Sequence, residues 1–225
     1  MDSPVITPAM FQFLNELEEN NNRPWFNENK ARYQEGHLTM KAFTEVLMNE
    51  MSHHDHIERI RLHRIYRDVR FSKNKLPYKS NMSGGMKRAT KLLRGGYYFH
   101  IEPGASMIGG GFYQPNAEDL NLIRKQIEMD VSPLRKVINS KLFKDYFGEL
   151  LGEQLKTVPR GFEKDDPNID LLRYKSFYVM HRFTDQEVMS EDFEDKVIQG
   201  YKNLQSFFET MTNYLTTDLN GESTI

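Results

Sequence analysis

The 225-residue chain sets 30 Lys and Arg against 32 Asp and Glu, a net charge of −2, and has no cysteine. Without cysteine there is no disulfide framework, thiolate nucleophile or cysteine metal site. No apolar run approaches the ~18 residues of a membrane helix, and no signal-peptide pattern opens the sequence, so the expectation is a cytoplasmic protein.

The 15 Phe, 11 Tyr and 12 Met supply bulk for a sizeable core. Thr7-Pro8 reads as a capped helix start. Met10, Phe13, Leu14 and Leu17 then form one apolar stripe. Asn20, Asn21 and Asn22 stop that helix and Pro24 opens a second. Its stripe runs Tyr33, Met40, Phe43, Leu47, with Gly36 as a point of bending. The joint of this helical hairpin carries Trp25 and Phe26, read as core. His53, His54 and His56 lack the i, i+4 spacing of a helical metal site and read as solvated helix-end residues.

Leu62 to Phe71 is expected as a strand, with Ile65, Arg67, Val69 and Phe71 on one face and Arg64, Tyr66, Asp68 and Arg70 on the other. Pro77 and Ser83-Gly84-Gly85 predict a loop after it. Tyr97 to Glu102 and Met107 to Tyr113 predict a hairpin turned at Pro103-Gly104. The run Gly109 to Gly111 points to a bulge or to a close approach to the backbone, a bound ligand being one candidate. Helices are expected after Asn116, Ser132, Ser140 and Asp166, with short strand character over Leu155–Val158. Ser176 to Phe183 predicts a further strand. Thr184 to Glu187 has capping-box spacing. One long final helix is expected from Ser190 to Leu215, followed by about eight frayed residues. Together these predict an α+β fold, a single domain over residues 1–225. A central antiparallel or mixed sheet of four to six strands would be packed by the N-terminal helical hairpin and the long C-terminal helix.

Charge is not spread evenly. Between Arg59 and Arg94 stand twelve bases and one acid, Asp68. The block therefore carries +11 and the remainder −13.

The stretches Phe13-Leu14, Asn20 to Asn27, Arg64 to Lys79, Gly96 to Gly104, Gly109 to Gly111, Pro159 to Phe162 and Lys175 to Tyr178 occur in that order. Together they resemble the DUF2461 family of bacterial and fungal proteins over about residues 8 to 215. The resemblance implies a single domain in a cytoplasmic bacterial setting. It brings no catalytic residue, cofactor or mechanism with it.

From the residues themselves, the leading expectation is a phosphate- or carboxylate-bearing ligand or an acidic partner. It would be held by Arg64, Arg67, Arg70, Lys73, Lys75 and Lys79, with Arg160 and Lys175 as added members. Arginine forks suit paired oxygens and lysine adds point charge. Asp68 would orient an arginine. Arg67, on the apolar face, is alternatively a buried arginine paired to an acid. On this reading Arg64→Ala with Arg70→Ala leaves the fold intact and removes bound phosphate or sulfate. A nucleic-acid version would use Tyr66, Tyr78, Tyr97, Tyr98 and Phe99 for stacking. The net charge and the lack of a recognised motif make it less favoured. Two further readings stand beside these. One is a hydrolase-like or metal-dependent enzyme using Asp68, His100 and Glu102. The other is an interaction protein whose bases simply pair with its own acids.

Overall fold

The computed structural model describes residues 5–90 and 92–224. Lys91 of the basic block, and the start of the expected loose N-terminal end, lie outside the described residues. The fold is α+β, built on one five-stranded antiparallel sheet of order β1-β2-β3-β4-β5. The strands are β1 (Ile57–Leu62), β2 (Met82–Arg88), β3 (Gly96–Ile101), β4 (Met107–Phe112) and β5 (Phe177–Arg182). Among the described residues, no helix is long and apolar enough to cross a membrane. The chain divides into two compact units. One holds the residues up to Met86, Tyr98–Ile108 and Arg182–Gln199; the other holds Lys87–Tyr97, Gly109–His181 and the chain from Gly200 on.

The first unit begins with α1 (Pro8–Glu19), whose N-cap Thr7 accepts from the Met10 amide. Its Phe13, Leu14 and Leu17 are fully buried. The expected second helix is two. Asn29 closes α2 (Arg23–Glu28) and opens α3 (Lys30–Met51). The Asn29 side chain donates to the Trp25 carbonyl at 3.0 Å, a local bond that competes with helix continuation. α3 runs unbroken through Gly36, which is buried, and a Cβ there would press on Met10 and Met82. Phe43 meets Phe99 edge-on at 5.6 Å and stacks with Phe193 at 5.8 Å. Truncating a ring buried like Phe43 costs about 3–5 kcal/mol.

Three expectations about strands are corrected. The first strand is Ile57–Leu62, not Leu62–Phe71. Past Leu62 the apolar Ile65, Val69 and Phe71 still alternate, but Arg64, Arg67 and Arg70 fall on both faces, so no uniformly apolar face fixes a register; Phe71, expected inward, is 97% exposed. Ser83-Gly84-Gly85 is not a loop but the middle of β2. Gly84 is needed there because a Cβ would collide with the Phe99 ring and the Arg61 carbonyl. Lastly, Leu155–Val158 is not a strand: Leu151 and Gln154 make isolated bridges to Tyr178 and Tyr174 instead.

In the second unit, α4 (Ala117–Met129) is capped by Asn116, and α5 (Ser132–Ile138) follows. Ser140 caps α6 (Lys141–Phe147), and α7 (Ile169–Leu172) leads into β5. Phe208 touches Tyr97 at 4.9 Å and Phe112 at 6.1 Å, and the Arg88 guanidinium lies 4.8 Å from its ring centre. Buried Arg88 donates to the Arg94 carbonyl and to Thr212, so this member of the basic block serves packing. The triple glycine of β4 is a close approach, made by the chain's own backbone. A Cβ on Gly109 would collide with the Val179 carbonyl, and one on Gly111 with the Phe177 carbonyl.

After the capping box of Thr184 and Glu187 on α8 (Asp185–Val188), the expected long helix breaks at Leu204. It forms α9 (Phe193–Asn203) and α10 (Gln205–Thr216). The Leu204 amide bonds to the Tyr201 carbonyl, an i→i−3 turn that tightens the chain there. The expected fraying is not found over residues 217–224: Thr217 bridges Ser223, and the Asp218 carboxylate accepts from the Asn220 and Glu222 amides.

Candidate anion-binding site

The basic segment leaves the sheet at His63, whose amide makes a last bond to the Ser83 carbonyl at 2.7 Å. It then folds back on itself. An antiparallel bridge joins Tyr66 and Tyr78, flanked by bonds from the Arg67 amide to the Pro77 carbonyl (2.9 Å) and from the Lys79 amide to the Ile65 carbonyl (2.8 Å). Residues 67–77 are thus an arm closed at its base. The base is anchored twice. Ile65 is buried, and buried Tyr78 stacks on Phe26 with ring centres 4.0 Å apart. The Asn21 side chain clamps the Tyr78 backbone, accepting from its amide at 3.0 Å and donating to its carbonyl at 3.1 Å. Within the arm, the Asn74 amide donates to the Ser72 hydroxyl and the Leu76 amide to the Asn74 side chain. These local turns hold an otherwise polar loop.

The six expected cations divide. Arg70 holds Asp68 with two parallel bonds, Nε to Oδ1 at 3.0 Å and Nη2 to Oδ2 at 2.7 Å. That side-chain bond, helped by the Arg70 amide and the charge of Arg64, lowers the Asp68 pKa. Lys75 donates to the Val69 carbonyl at 2.9 Å. Among the described residues, Arg64, Arg67 and Lys73 form no salt bridge. Lys79 is half-buried. Burial lowers its pKa first, and the nearby charges of Arg64 and Arg67 lower it further. Those three cations are therefore electrostatic neighbours. Arg67 is exposed rather than buried with an acid. With no strand at this position, the alternation that placed it inward does not apply.

Arg67 lines a cleft of ≈310 Å³ together with Arg23, Asn27, Tyr66, Val69, Pro77 and Tyr78. Arg23 and Asn27 come from α2 and were not foreseen. Asn22 caps α2 by accepting from the Trp25 amide at 3.1 Å, which fixes where Arg23 starts. The signal in sequence was the polar run Asn20 to Asn27 around an aromatic pair, read as a helix joint. Phenols gather here as well. Burial raises the Tyr33 and Tyr78 pKa values, Tyr66 adds to both, and Arg23 opposes the rise at Tyr78. Arg23 likewise forms no salt bridge among the described residues.

The enzyme constellation is brought together only in part. His100 Nε2 lies 2.7 Å from Glu102 Oε2, and the Ser80 hydroxyl donates to Glu102 Oε1 at 2.8 Å. Tyr98 Oη is 3.1 Å from His100 Nδ1. Both carboxylate oxygens are thus engaged within the chain, and Asp68 is held by Arg70. Among the described residues, no group of three or more His, Asp or Glu is placed to hold a metal ion. Of the added cations, Lys175 pairs with Glu153 at 2.6 Å and Arg160 sits in an exposed loop. Tyr97 and Phe99, named for base stacking, are buried in the core.

A second cleft, of ≈300 Å³, lies in the other unit and is lined in part by Arg135, Lys144, Glu149, Asp170 and Tyr174. There Arg135 grips Asp170 with Nη2–Oδ1 at 2.8 Å and Nη1–Oδ2 at 3.2 Å, and donates to the Asn168 side chain at 3.3 Å.

The family model described as conserved hypothetical protein (DUF2461) matches residues 9–209 of the chain. No curated protein and no solved structure matches it.

Proposed function

Since the chain belongs to the DUF2461 family, which carries no assigned reaction, we propose a function from the chain's own charges: binding a small phosphate- or carboxylate-bearing ligand through segment 64–79. Arg64, Arg67 and Lys79 are the principal cations, Arg23 of α2 lines the cleft with Arg67, and Lys73 and Lys75 add positive field. Arg70 contributes least, because its fork is spent on Asp68. With this reading go the expectations of a single domain and a cytoplasmic setting.

One observation carries the reading: two guanidinium groups, Arg23 and Arg67, line one cleft with no carboxylate among its lining residues. Cations held together without counter-charge repel, and an oxyanion relieves that repulsion. A guanidinium offers two parallel donors to an oxyanion, which adds geometric selectivity to charge. The pinned base of the arm means that part of the ordering cost is met before a ligand arrives.

The test is calorimetric titration at low salt with inorganic pyrophosphate and with citrate, representing the two ligand classes. At least one of them binds, and Arg64→Ala with Arg67→Ala weakens it about 100-fold, since a hydrogen bond to a charged group contributes about 1.5–3 kcal/mol. Both side chains are exposed, so the melting temperature stays within a few degrees of the parent's. Binding unchanged in the double variant, or absent for both anions in the parent, defeats the reading.

A further inference from the structure

We infer that the ligand of this cleft carries a planar ring beside its anionic group, in the chemical class of a nucleoside monophosphate. The inference rests on the anion reading above and deepens it. Its starting point is Tyr66, a large ring that is 49% exposed although it touches an aromatic cluster. Phe26 meets it edge-on at 5.9 Å and 61°, and Tyr78 lies tilted to it at 5.3 Å and 51°. Neither neighbour is stacked parallel on it, so a flat group can take that position. Its backbone is fixed by the bridge to Tyr78 and by the flanking bonds of Arg67 and Lys79. The ring is therefore a preformed platform and costs little ordering on binding.

The other lining groups suit the same ligand. Arg67 follows Tyr66 directly in the chain, and Arg23 lines the same cleft, so charge lies close to the platform. Guanidinium groups both pair with oxyanions and stack on rings. The exposed Asn27 amide offers two donors and an acceptor, the complement of a base edge. Val69 and Pro77 supply apolar wall. At ≈310 Å³ the cleft lies at the small end of ligand pockets, about 300–1,000 Å³, which suits one ring system with one anionic group.

The experiment titrates AMP, ribose 5-phosphate and inorganic phosphate against the full chain, Tyr66→Ala and Tyr66→Phe. AMP binds more tightly than ribose 5-phosphate by about 5- to 150-fold, the span that base–aromatic stacking gives by alanine substitution. Tyr66→Ala removes that margin while leaving ribose 5-phosphate binding in place, and Tyr66→Phe keeps it. Equal affinity for AMP and ribose 5-phosphate overturns the ring and leaves the anion reading standing. A margin that survives Tyr66→Ala overturns the assignment to this platform. Failure of all three probes to bind overturns the inference, and the anion reading beneath it falls with it only if pyrophosphate and citrate also fail to bind.

Discussion

Two clefts of nearly equal size, ≈310 and ≈300 Å³, each draw two cations into their linings. In the first unit these are Arg23 and Arg67, with no acid among the lining residues. In the second they are Arg135 and Lys144, with Glu149 and Asp170 beside them. Size and cation count are matched, so neither distinguishes the clefts. The difference is whether a guanidinium has its carboxylate. Arg135 has already spent its fork on Asp170 and Asn168. An arginine that is already chelated offers an incoming anion little, because binding must first break the internal pair. An arginine-lined hollow is therefore a candidate anion site only where the fold supplies charge without its complement.

The strongest way to break this comparison is charge reversal in each cleft. Arg67→Glu places a carboxylate among the lining residues of the first cleft, and pyrophosphate or citrate affinity is expected to fall more than about 100-fold. Arg135→Glu, tested alongside, leaves that affinity unchanged. Equal losses from the two variants would mean that binding follows overall charge and not the cleft.

A smaller effect is expected from unmasking the second cleft. Asp170→Asn frees Arg135 and shifts the lining charge from balanced to +1. Weak phosphate binding should then appear there, visible as chemical-shift changes at Arg135 and Tyr174. The ion pair is partly exposed, at 34% and 59% for its two side chains, so the stability change stays below about 1 kcal/mol. If phosphate binding stays undetectable in Asp170→Asn, pairing is not what separates the clefts.

The smallest and most diagnostic effect concerns Lys79. Its folded pKa is lowered from 10.5 by burial and by Arg64 and Arg67. A lysine whose folded pKa lies below its unfolded value binds more protons unfolded than folded between the two. Stability therefore rises with pH across that window, as the unfavourable charge is lost. A bound anion opposes this shift, holding the ammonium charged and raising the pKa from its unliganded position. Titrating the Lys79 side chain by NMR with and without pyrophosphate should show that upward movement. A downward movement, or none, would place the anion away from Lys79.

The comparison also separates what could be read in the chain. The caps at Thr7, Asn116 and Thr184 were legible because each bond spans three residues. The triple glycine of β4 was legible as a place of close approach, because only glycine tolerates backbone at that distance. What approaches it, the carbonyls of β5, was not. The boundary of β1 was misread because Ile65, Val69 and Phe71 alternate as the inner face of a strand would, whereas of the three only Ile65 is buried. The break at Leu204 was missed because the apolar spacing runs through it without a proline or glycine.

Composition and short-range spacing, by themselves, determined the class of fold, most of the helices and the concentration of charge in the middle third, since all of these depend on residues within a few positions of one another. Tertiary structure decided which charges remain unmatched. Asp68 answers Arg70 from two residues away and Asp170 answers Arg135 from 35, whereas Arg23 reaches the cleft of Arg67 only through the clamp of Asn21 on Tyr78 and the stacking of Phe26. Pairing of charges is a property of distance in space, and folding sets that distance.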